Sequence, residues 1–396
     1  MSKRVGGFIN QDGLNAPDEP TSVSASAGNQ QATVSFTAPS DVGGSAITGY
    51  VATSNDGIGA TGSASPITVT GLTNDTAYTF RVWALNAFGW SSPSVVSGSV
   101  TPGASAFWAG GDVGGDTWQN VIQVVNLSTT GNTTDWGDLT QARGKTTGFS
   151  SSTRGCAAGG QATGVSNSNV IDYFSLASAG NAVDFGDLLS GTQAAAGLSN
   201  STRGVVGGGN VGSDINVIQF VTIASTGNAT DFGDLPQTRS LMGAAASTTR
   251  GLFGGSISNG VGGNVIDYIT IASTGNALNF GDLNNIIYRA SGCSNSTRAL
   301  FPGGIVTPAF STINAIDFVT IASTGNATDF GDLTSARNTI ASTASPTRAV
   351  FGGNGNVIDF VTIASAGNAT DFGDLLFGNA AGESMAAMST AHGGLA

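Results

Sequence analysis

Residues Asn216–Leu235 read NVIQFVTIASTGNATDFGDL, and close copies of this stretch recur along the last three quarters of the chain. The Gly-Asp pairs of successive copies are separated by 49, 47, 48, 50 and 42 residues. A repeat of this length indicates units that bury their apolar faces only when neighbours stack. The six copies begin at Asn120, Asn169, Asn216, Asn264, Asn314 and Asn356.

The variation in repeat length is confined to one part of the unit. The Asp of Gly-Asp-Leu always lies 18 residues after the opening Asn, and the next Thr-Arg arginine always lies 16 residues after that Asp. The variable part follows a Gly-Gly pair and ends before the next Asn. Because binding residues concentrate on loops held by a rigid frame, we expect a binding surface there. These loops are Asp112–Gln119, Gln161–Ser168, Gly209–Ile215, Ser256–Gly263, Ile305–Ile313 and Asn354–Gly355.

Each repeat contains four predicted strands, so the expected fold class is all-β. The first consists of small residues, as in Met242–Ser247, and the second ends in Gly-Gly, as in Thr249–Gly255. The third is the alternating run NVIDFVTIAS and the fourth is ATDFGDL, both rich in residues that favour strands. Gly227–Asn228, between the third and fourth strands, predicts a two-residue type II′ hairpin.

This pattern resembles the kelch repeat of β-propellers over about residues 104–396. The matching features are the Thr-Arg or Ala-Arg dipeptide, the Gly-Gly pair, the β-branched run and the aromatic residue before Gly-Asp-Leu. The resemblance implies one blade per repeat. The aromatic is expected to pack between neighbouring blades. The family's usual Trp is present as Trp136, and Phe replaces it at Phe185, Phe232, Phe280, Phe330 and Phe372.

The two ends of the array complement each other. Phe107–Gly111 reads as a second strand with no first strand before it, and Gly382–His392 reads as a first strand with no blade after it. We expect these N- and C-terminal strands to pair and to close a six-bladed kelch-like β-propeller. Closure would remove exposed sheet edges, which favour aggregation.

Residues 17–102 resemble a fibronectin type III domain, a β-sandwich that implies no chemistry. The resemblance rests on Leu72–Tyr78 (LTNDTAY) and on the Ser91-Ser92-Pro93 stretch. It implies that Tyr78 is the corner tyrosine, whose hydroxyl bonds to nearby backbone. The expected domains are an anchoring arm at 1–16, the sandwich at 17–102 and the propeller at 103–396. The expected strands of the sandwich are Ala32–Phe36, Thr48–Ala52, Ile67–Val69, Tyr78–Ala84 and Val95–Val100.

Composition excludes several classes of function. The net charge is −12 and charged residues make up 10% of the chain, which argues against nucleic acid as a partner. No apolar run is long enough to cross a membrane and no signal peptide is evident, so neither membrane insertion nor ordinary secretion is expected. Cys156 and Cys293 are interpreted as unpaired buried thiols. The single histidine, His392, excludes histidine-rich metal sites and the copper centre of galactose oxidase, and no cofactor is expected.

Two kinds of candidate site remain. Asp-x-Gly-Asp carboxylates suit calcium, but capping of turns or pairing with the repeated arginines is the favoured explanation from sequence. Asn-x-Thr/Ser triplets recur with the repeat and are not expected to be glycosylated. The weak calcium candidates are Asp135, Asp138, Asp231, Asp234, Asp329, Asp332, Asp371 and Asp374. The candidate ligand-binding residues of the variable loops are Asp112, Asp116, Trp118, Asn167, Asp214, Asn259 and Phe310.

Trp118 and Phe310 are expected to be exposed and to stack on sugar rings, although ordinary loop drift is an open alternative. The pairing of a fibronectin-like module with an Asn-, Thr- and Gly-rich array resembles virion proteins of tailed bacteriophages. This implies a non-enzymatic tail fibre or decoration protein at the particle surface, oligomeric within the particle. Other virion proteins would contact the arm and sandwich, and host glycan or envelope protein the loops. The alternatives are a bacterial surface or secreted carbohydrate-binding protein, and a glycan-active enzyme.

Overall fold

The computed structural model describes residues 15–115, 117–258, 260–379 and 384–391. The chain divides into two compact units, Met1–Ala104 and Ser105–Ala396. Every regular element in the described ranges is a β-strand, which confirms the all-β fold class. No helix there is long and apolar enough to cross a membrane. Nearly all of the predicted arm lies outside the described residues.

The first unit is a β-sandwich of a three-stranded and a four-stranded sheet. The sheet orders are β1-β2-β5 and β4-β3-β6-β7. Its core contains the inward residues of alternating strands, such as Val34, Ala52 and Val82, each fully buried. The strands are β1 (Thr21–Gly28), β2 (Gln31–Thr37), β3 (Gly49–Ser54), β4 (Gly59–Gly62), β5 (Ile67–Thr70), β6 (Phe80–Asn86) and β7 (Gly89–Trp90).

The corner tyrosine is confirmed, since the hydroxyl of Tyr78 accepts a hydrogen bond from the backbone N–H of Thr73 at 3.0 Å. The predicted strand at Val95–Val100 is wrong, because only one bridge, Tyr78 with Val100, forms there. Instead, Ser91, Ser94 and Ser97 bond β6 through both their backbone N–H and their hydroxyl groups. These serines recur every third residue, whereas strand prediction relies on a period of two. The two-residue pattern therefore does not detect this segment's contact with β6.

The second unit contains six sheets, named A to F. Their orders are A, β10-β9-β8-β33; B, β11-β12-β13-β14; C, β15-β16-β17-β18; D, β19-β20-β21-β22-β25-β26; E, β23-β24-β27-β28; and F, β29-β30-β31-β32. The strands are β8 (Ser105–Ala109), β9 (Val121–Asn126), β10 (Thr134–Asp138), β11 (Thr147–Ser150), β12 (Arg154–Ala158), β13 (Val170–Ser175), β14 (Val183–Asp187), β15 (Ala196–Ser199), β16 (Arg203–Gly207), β17 (Val217–Thr222), β18 (Thr230–Asp234), β19 (Gly243–Ala246), β20 (Arg250–Ser258), β21 (Val261–Thr270), β22 (Leu278–Tyr288), β23 (Cys293–Ser294), β24 (Arg298–Pro302), β25 (Ile305–Val306), β26 (Ser311–Thr312), β27 (Ala315–Thr320), β28 (Thr328–Asp332), β29 (Ala341–Ala344), β30 (Arg348–Gly352), β31 (Gly355–Thr362), β32 (Thr370–Asn379) and β33 (Ala386–Ser389).

Sheet A is assembled from both ends of the array. Strand β33 pairs antiparallel with β8, with Ala386 opposite Ala109 and Ser389 opposite Ala106. These are the two segments that the sequence predicts to complete one blade. The pairing covers an edge of β8 that would otherwise be open.

Aromatic residues of the fourth strands lie in cores shared by two sheets. Phe232 of sheet C belongs to one buried cluster with Ile269 and Ile271 of sheet D. Its ring also meets Phe220 of its own sheet edge to face, with centroids 5.8 Å apart. The predicted packing of this aromatic between neighbouring sheets is therefore confirmed for Phe232.

The most constant part of the repeat forms the contact between sheets. Two backbone bonds, Gly227 N–H to the Phe185 carbonyl and Ala229 N–H to the Asp187 carbonyl, join sheet C to sheet B. The side-chain oxygen of Asn228 also accepts the Asp187 N–H at 3.0 Å. The corresponding bonds occur from each sheet to the next, and they also join sheet F to sheet A. We call this contact the Gly-Asn joint.

The joint explains why the predicted two-residue hairpin at Gly227–Asn228 is wrong. Strand β17 ends at Thr222 and β18 begins at Thr230, so the connection is longer. Its Gly-Asn pair faces the preceding sheet instead of closing a tight turn. A local sequence rule cannot include this contact, because its partner lies about 40 residues earlier.

Candidate functional site

The variable connections between second and third strands lie at one end of the sheets, here named the loop end. Antiparallel order places them beside the connections that lead from the fourth strand to the next first strand. Three bridges show this directly: Gly144 pairs with Gln161, Gln193 with Asn210, and Ser240 with Ile257. The loop end therefore collects the length variation of the repeat.

Three of the predicted loops overlap regular structure, and in sheet F the connection Asn354–Gly355 ends in β31, which begins at Gly355. In sheet D, β20 runs to Ser258 and β21 starts at Val261, so the sheet continues into this connection. The connection of sheet E forms the hairpin β25-β26, which pairs with β22 of sheet D through Val306 and Ile287. The variable connections therefore differ in structure as well as in length: some are irregular loops and others contain strands.

The prediction that Trp118 is exposed is wrong. Trp118 is 9% exposed, and its ring lies against Gly144, where an added Cβ would come 2.5 Å from a ring carbon. Asp112 is 3% exposed and its carboxylate accepts the backbone N–H of Gly114. Asp112 and Trp118 also pair through their backbones, so they stabilise their own loop.

Phe310 is the best placed of the predicted contact residues, because 65% of its surface is exposed. Its backbone φ is 51°, a value that residues other than glycine seldom adopt. Asn167 and Asp214 are half-buried, and the Asp214 carboxylate accepts from Asn210 at 3.0 Å. Asp116 and Asn259 lie outside the described residues.

The repeated arginines do not pair with the Asp-x-Gly-Asp carboxylates, which corrects one sequence interpretation. The guanidinium of Arg203 lies 4.6 Å from the ring centre of Phe220 and donates to the carbonyl of Ile271 in the next sheet. The same arrangement holds for Arg154, Arg250, Arg298 and Arg348. These arginines therefore join sheets through cation–π and charge-assisted contacts.

The calcium candidates lie on the fourth strands, next to the Gly-Asn joints. The first Asp of sheet A, Asp135, accepts the N–H of Gly137, while the N–H of Asp138 donates to Asn181. The described residues contain no cluster of three or more His, Cys, Asp or Glu side chains able to hold a metal ion. Both cysteines, Cys156 and Cys293, are free thiols, and burial raises the pKa of each.

Sequence reasoning missed a second arginine series that forms buried ion pairs. Arg143, fully buried, donates to Asp172 of the next sheet at 2.7 Å and to the carbonyls of Gly159 and Val170. Arg239 pairs with Asp267 and Arg337 with Asp359 in the same way. The signal was present, because each arginine lies four residues after the Leu of Gly-Asp-Leu.

Among the described residues, these ion pairs join only alternate sheets. At the equivalent positions between sheets B and C stand Thr192 and Gln219, and the amide oxygen of Gln219 accepts the N–H of Leu189. Burial lowers the pKa of Arg239 and raises the pKa of Asp267, while their mutual attraction opposes both shifts. Both arrangements join neighbouring sheets and stabilise their contact.

Asp317 is a buried carboxyl of this series without an arginine. Ile287 stands where the arginine would be, and Asp317 accepts only from the backbone and side-chain N–H groups of Asn284. Burial raises the pKa of Asp317, the hydrogen bonds from Asn284 lower it, and nearby Asp329 raises it further. Asp317 is 4% exposed.

The first strands of all six sheets surround one cavity of about 80 Å³. At its loop end, backbone bonds link one sheet to the next: Lys145 N–H donates to Ser384, Ala194 to Lys145, Leu241 to Ala194, and Arg289 to Leu241. We call this space the central cavity. Its lining includes Thr147, Ala196, Gly243, Ser291, Ala341 and Ala387.

Comparison with known families identifies the first unit. Residues 18–99 match the model of the fibronectin type III domain, so this part of the chain is a fibronectin type III domain. The predicted fibronectin type III domain is thereby confirmed over residues 18–99. A search of curated proteins gave no match to the chain.

Proposed function

We propose that sheets A to F form a closed six-bladed β-propeller of the kelch type. The proposal is supported by three observations: the β8–β33 pairing, the Gly-Asn joint from sheet F to sheet A, and the central cavity lined by all six first strands. The kelch assignment rests further on the repeat pattern of Gly-Gly and the fourth-strand aromatic.

We infer that the protein is a non-enzymatic adhesion and structural protein that binds a partner at its loop end. The observation that supports this proposal is that the constant and the variable residues of the repeat occupy different places. Its constant residues form the joints between sheets, while the variable connections remain at one end. Residues outside the frame are free to diversify for binding.

The biological setting that fits best is the virion of a tailed bacteriophage, as a tail fibre or a decoration of the tail or head. This rests on the pairing of a fibronectin type III domain with a repeat array. In this setting the loops contact host glycan or envelope protein, while the arm and the first unit contact other virion proteins.

A glycan array with the full-length chain tests the binding proposal. Phe310→Ala should weaken binding of any glycan hit about tenfold, because stacking of an exposed ring contributes on the order of 1 kcal/mol or more. The matched control is Phe88→Ala, which removes a ring 46% exposed in the first unit. Equal loss in both variants, or release of reducing sugar by the wild type, would contradict an adhesive role for the loop end.

Exposed Phe310 also favours the alternative of a bacterial surface or secreted carbohydrate-binding protein. The two settings are separated by the genes that surround the coding sequence. Tail and capsid genes would support the virion, whereas genes for carbohydrate uptake would support the alternative.

A further inference from the structure

The central cavity contains polar atoms that its own walls leave unsatisfied. The hydroxyl oxygens of Thr146 and Ser342 and the Nε of Arg289 are buried, and none has a hydrogen-bond partner among the described residues. Thr146 is 3% exposed and Ser342 is 6% exposed, and all three residues line the cavity. Buried polar groups are normally paired, and three of the seven buried side-chain atoms that have no partner among the described residues belong to this lining.

The orientation of Thr146 is set by its neighbours. Its methyl carbon lies against Gly160, 2.6 Å from where a Cβ on that glycine would stand. A glycine is required at position 160, whose φ is +101°. The hydroxyl oxygen of Thr146 has no hydrogen-bond partner among the described residues.

The electrostatic character of the cavity favours an anion. Arg289 is the sole charged residue among the described residues of the lining. The other nearby cation, Lys145, directs its ammonium group to the side-chain oxygen of Gln161 at 2.8 Å. A guanidinium N–H and two hydroxyls can all donate hydrogen bonds, and carboxylate and phosphate oxygens are the acceptors that suit guanidinium best.

We propose that the central cavity binds a small oxyanion, through Arg289 with Thr146 and Ser342 as hydroxyl donors. The volume of about 80 Å³ exceeds the roughly 15 Å³ that one water molecule requires, so there is room for a group of this size. The shared chemistry is a compact anionic oxygen group, supplied either by free phosphate or by the carboxylate of a larger ligand. The site does not depend on the glycan contact proposed for Phe310.

Calorimetric titration of the full chain with sodium phosphate and with sodium acetate tests the site. Each titration is run against sodium chloride at matched ionic strength. The expected result is saturable binding of one anion per chain. Phosphate alone binding would identify phosphate as the source, and acetate binding would identify a carboxylate.

Arg289→Gln should weaken this binding at least about tenfold, since a hydrogen bond to a charged group is lost. Thr146→Val and Ser342→Ala, which remove hydroxyls with little change of shape, should each weaken it about threefold or more. The control is Arg298→Gln, whose guanidinium lies over Phe318 on sheet E and not in the cavity. Its affinity should equal that of the wild type.

Circular dichroism and thermal unfolding establish that each variant is folded. If Arg289→Gln fails to fold, Thr146→Val and Ser342→Ala decide the question. Absence of binding heat beyond that of chloride would overturn the proposal, as would equal affinity in the wild type, Thr146→Val and Ser342→Ala. Glycan binding by the loop end is read out separately, so failure of one proposal leaves the other intact.

Discussion

Gly233 holds two sheets at a distance that no side chain allows. Its φ is +143°, and an added Cβ would lie 2.5 Å from the carbonyl oxygen of Gly275 in the next sheet. The neighbouring bond, from the Gly275 N–H to the Phe232 carbonyl, depends on this approach. The glycine of Gly-Asp-Leu is thus required by contact between sheets, in addition to its backbone conformation.

Gly233→Ala should lower the free energy of unfolding by about 2 kcal/mol more than Gly227→Ala does. Gly227 is a matched control, because its φ of +154° is similar and a Cβ added there would meet no atom within 4 Å. Urea unfolding of both variants measures the difference. Equal destabilisation would show that backbone conformation, and not the close approach, requires glycine at 233.

Asp317 is the residue whose titration should affect stability most simply, since its carboxyl is buried without a cationic partner. Its pKa in the folded state is raised above the ordinary value, chiefly by burial. As pH rises above about 3.9, the carboxyl ionises first in the unfolded chain. The free energy of unfolding therefore falls with rising pH until the folded-state pKa has been passed.

Asp317→Asn removes this titratable carboxyl and should make the free energy of unfolding less sensitive to pH. The free energy of unfolding of the variant minus that of the wild type should be larger at pH 7 than at pH 3.5. Urea unfolding of both proteins at both pH values measures this difference. Asp371→Asn is the control, because Asp371 is an exposed carboxyl on a fourth strand. A wild type and variant with parallel pH profiles would contradict the role given to Asp317.

At the scale of elements, two further kinds of contact join neighbouring sheets beside the Gly-Asn joints. Ion pairs join A to B, C to D and E to F. Between B and C, D and E, and F and A, a serine of one first strand bonds the carbonyl of the first strand before it: Ser199 to Ser150, Ser294 to Ala246, and Ser389 to Ala344. Sheets A and B have both kinds of contact, because the hydroxyl of Ser150 also donates to the carbonyl of Ser389.

Replacement of the Arg143–Asp172 pair by its counterpart from sheets B and C tests whether the two positions act as one unit. Arg143→Thr alone should cost about 3–5 kcal/mol of unfolding free energy, because Asp172 is left buried without its partner. Adding Asp172→Gln reproduces the Thr192 and Gln219 pair of sheets B and C and should recover more than half of the loss. Urea unfolding of the single and double variants measures this, and an additive loss would show that the two positions are not coupled.

At the scale of the whole molecule, stability of the second unit should depend on its last described strand. A chain that ends after Asn379 lacks β33 and leaves β8 without its edge partner. We expect it to unfold at lower temperature and to associate through β8, as shown by calorimetry and size-exclusion chromatography. A chain that ends after Ala391 retains β33 and should match the full-length protein.

The repeat could be recognised from the sequence because the spacing of the residues that form contacts between sheets is constant. The steps of 18 and 16 residues predicted a rigid frame, alternation and residue type predicted its strands, and the fibronectin type III resemblance implied the Tyr78 corner that the structure confirms. Alternation and turn residues act over a few positions, so a linear reading detects them. The exposure of Phe310 was predicted from its place in a connection of variable length, but the same argument was wrong for Trp118.

The sequence by itself determined the all-β class, the number of repeats and the position of the fibronectin type III domain. Only the tertiary structure decided what the recurring residues of the repeat contact. Asn228 bonds Asp187, Arg203 stacks on Phe220 and Trp118 is covered by Gly144. The two members of each pair lie far apart in the chain and are brought together by packing of strands or sheets, so no local rule of spacing or composition contains the contact.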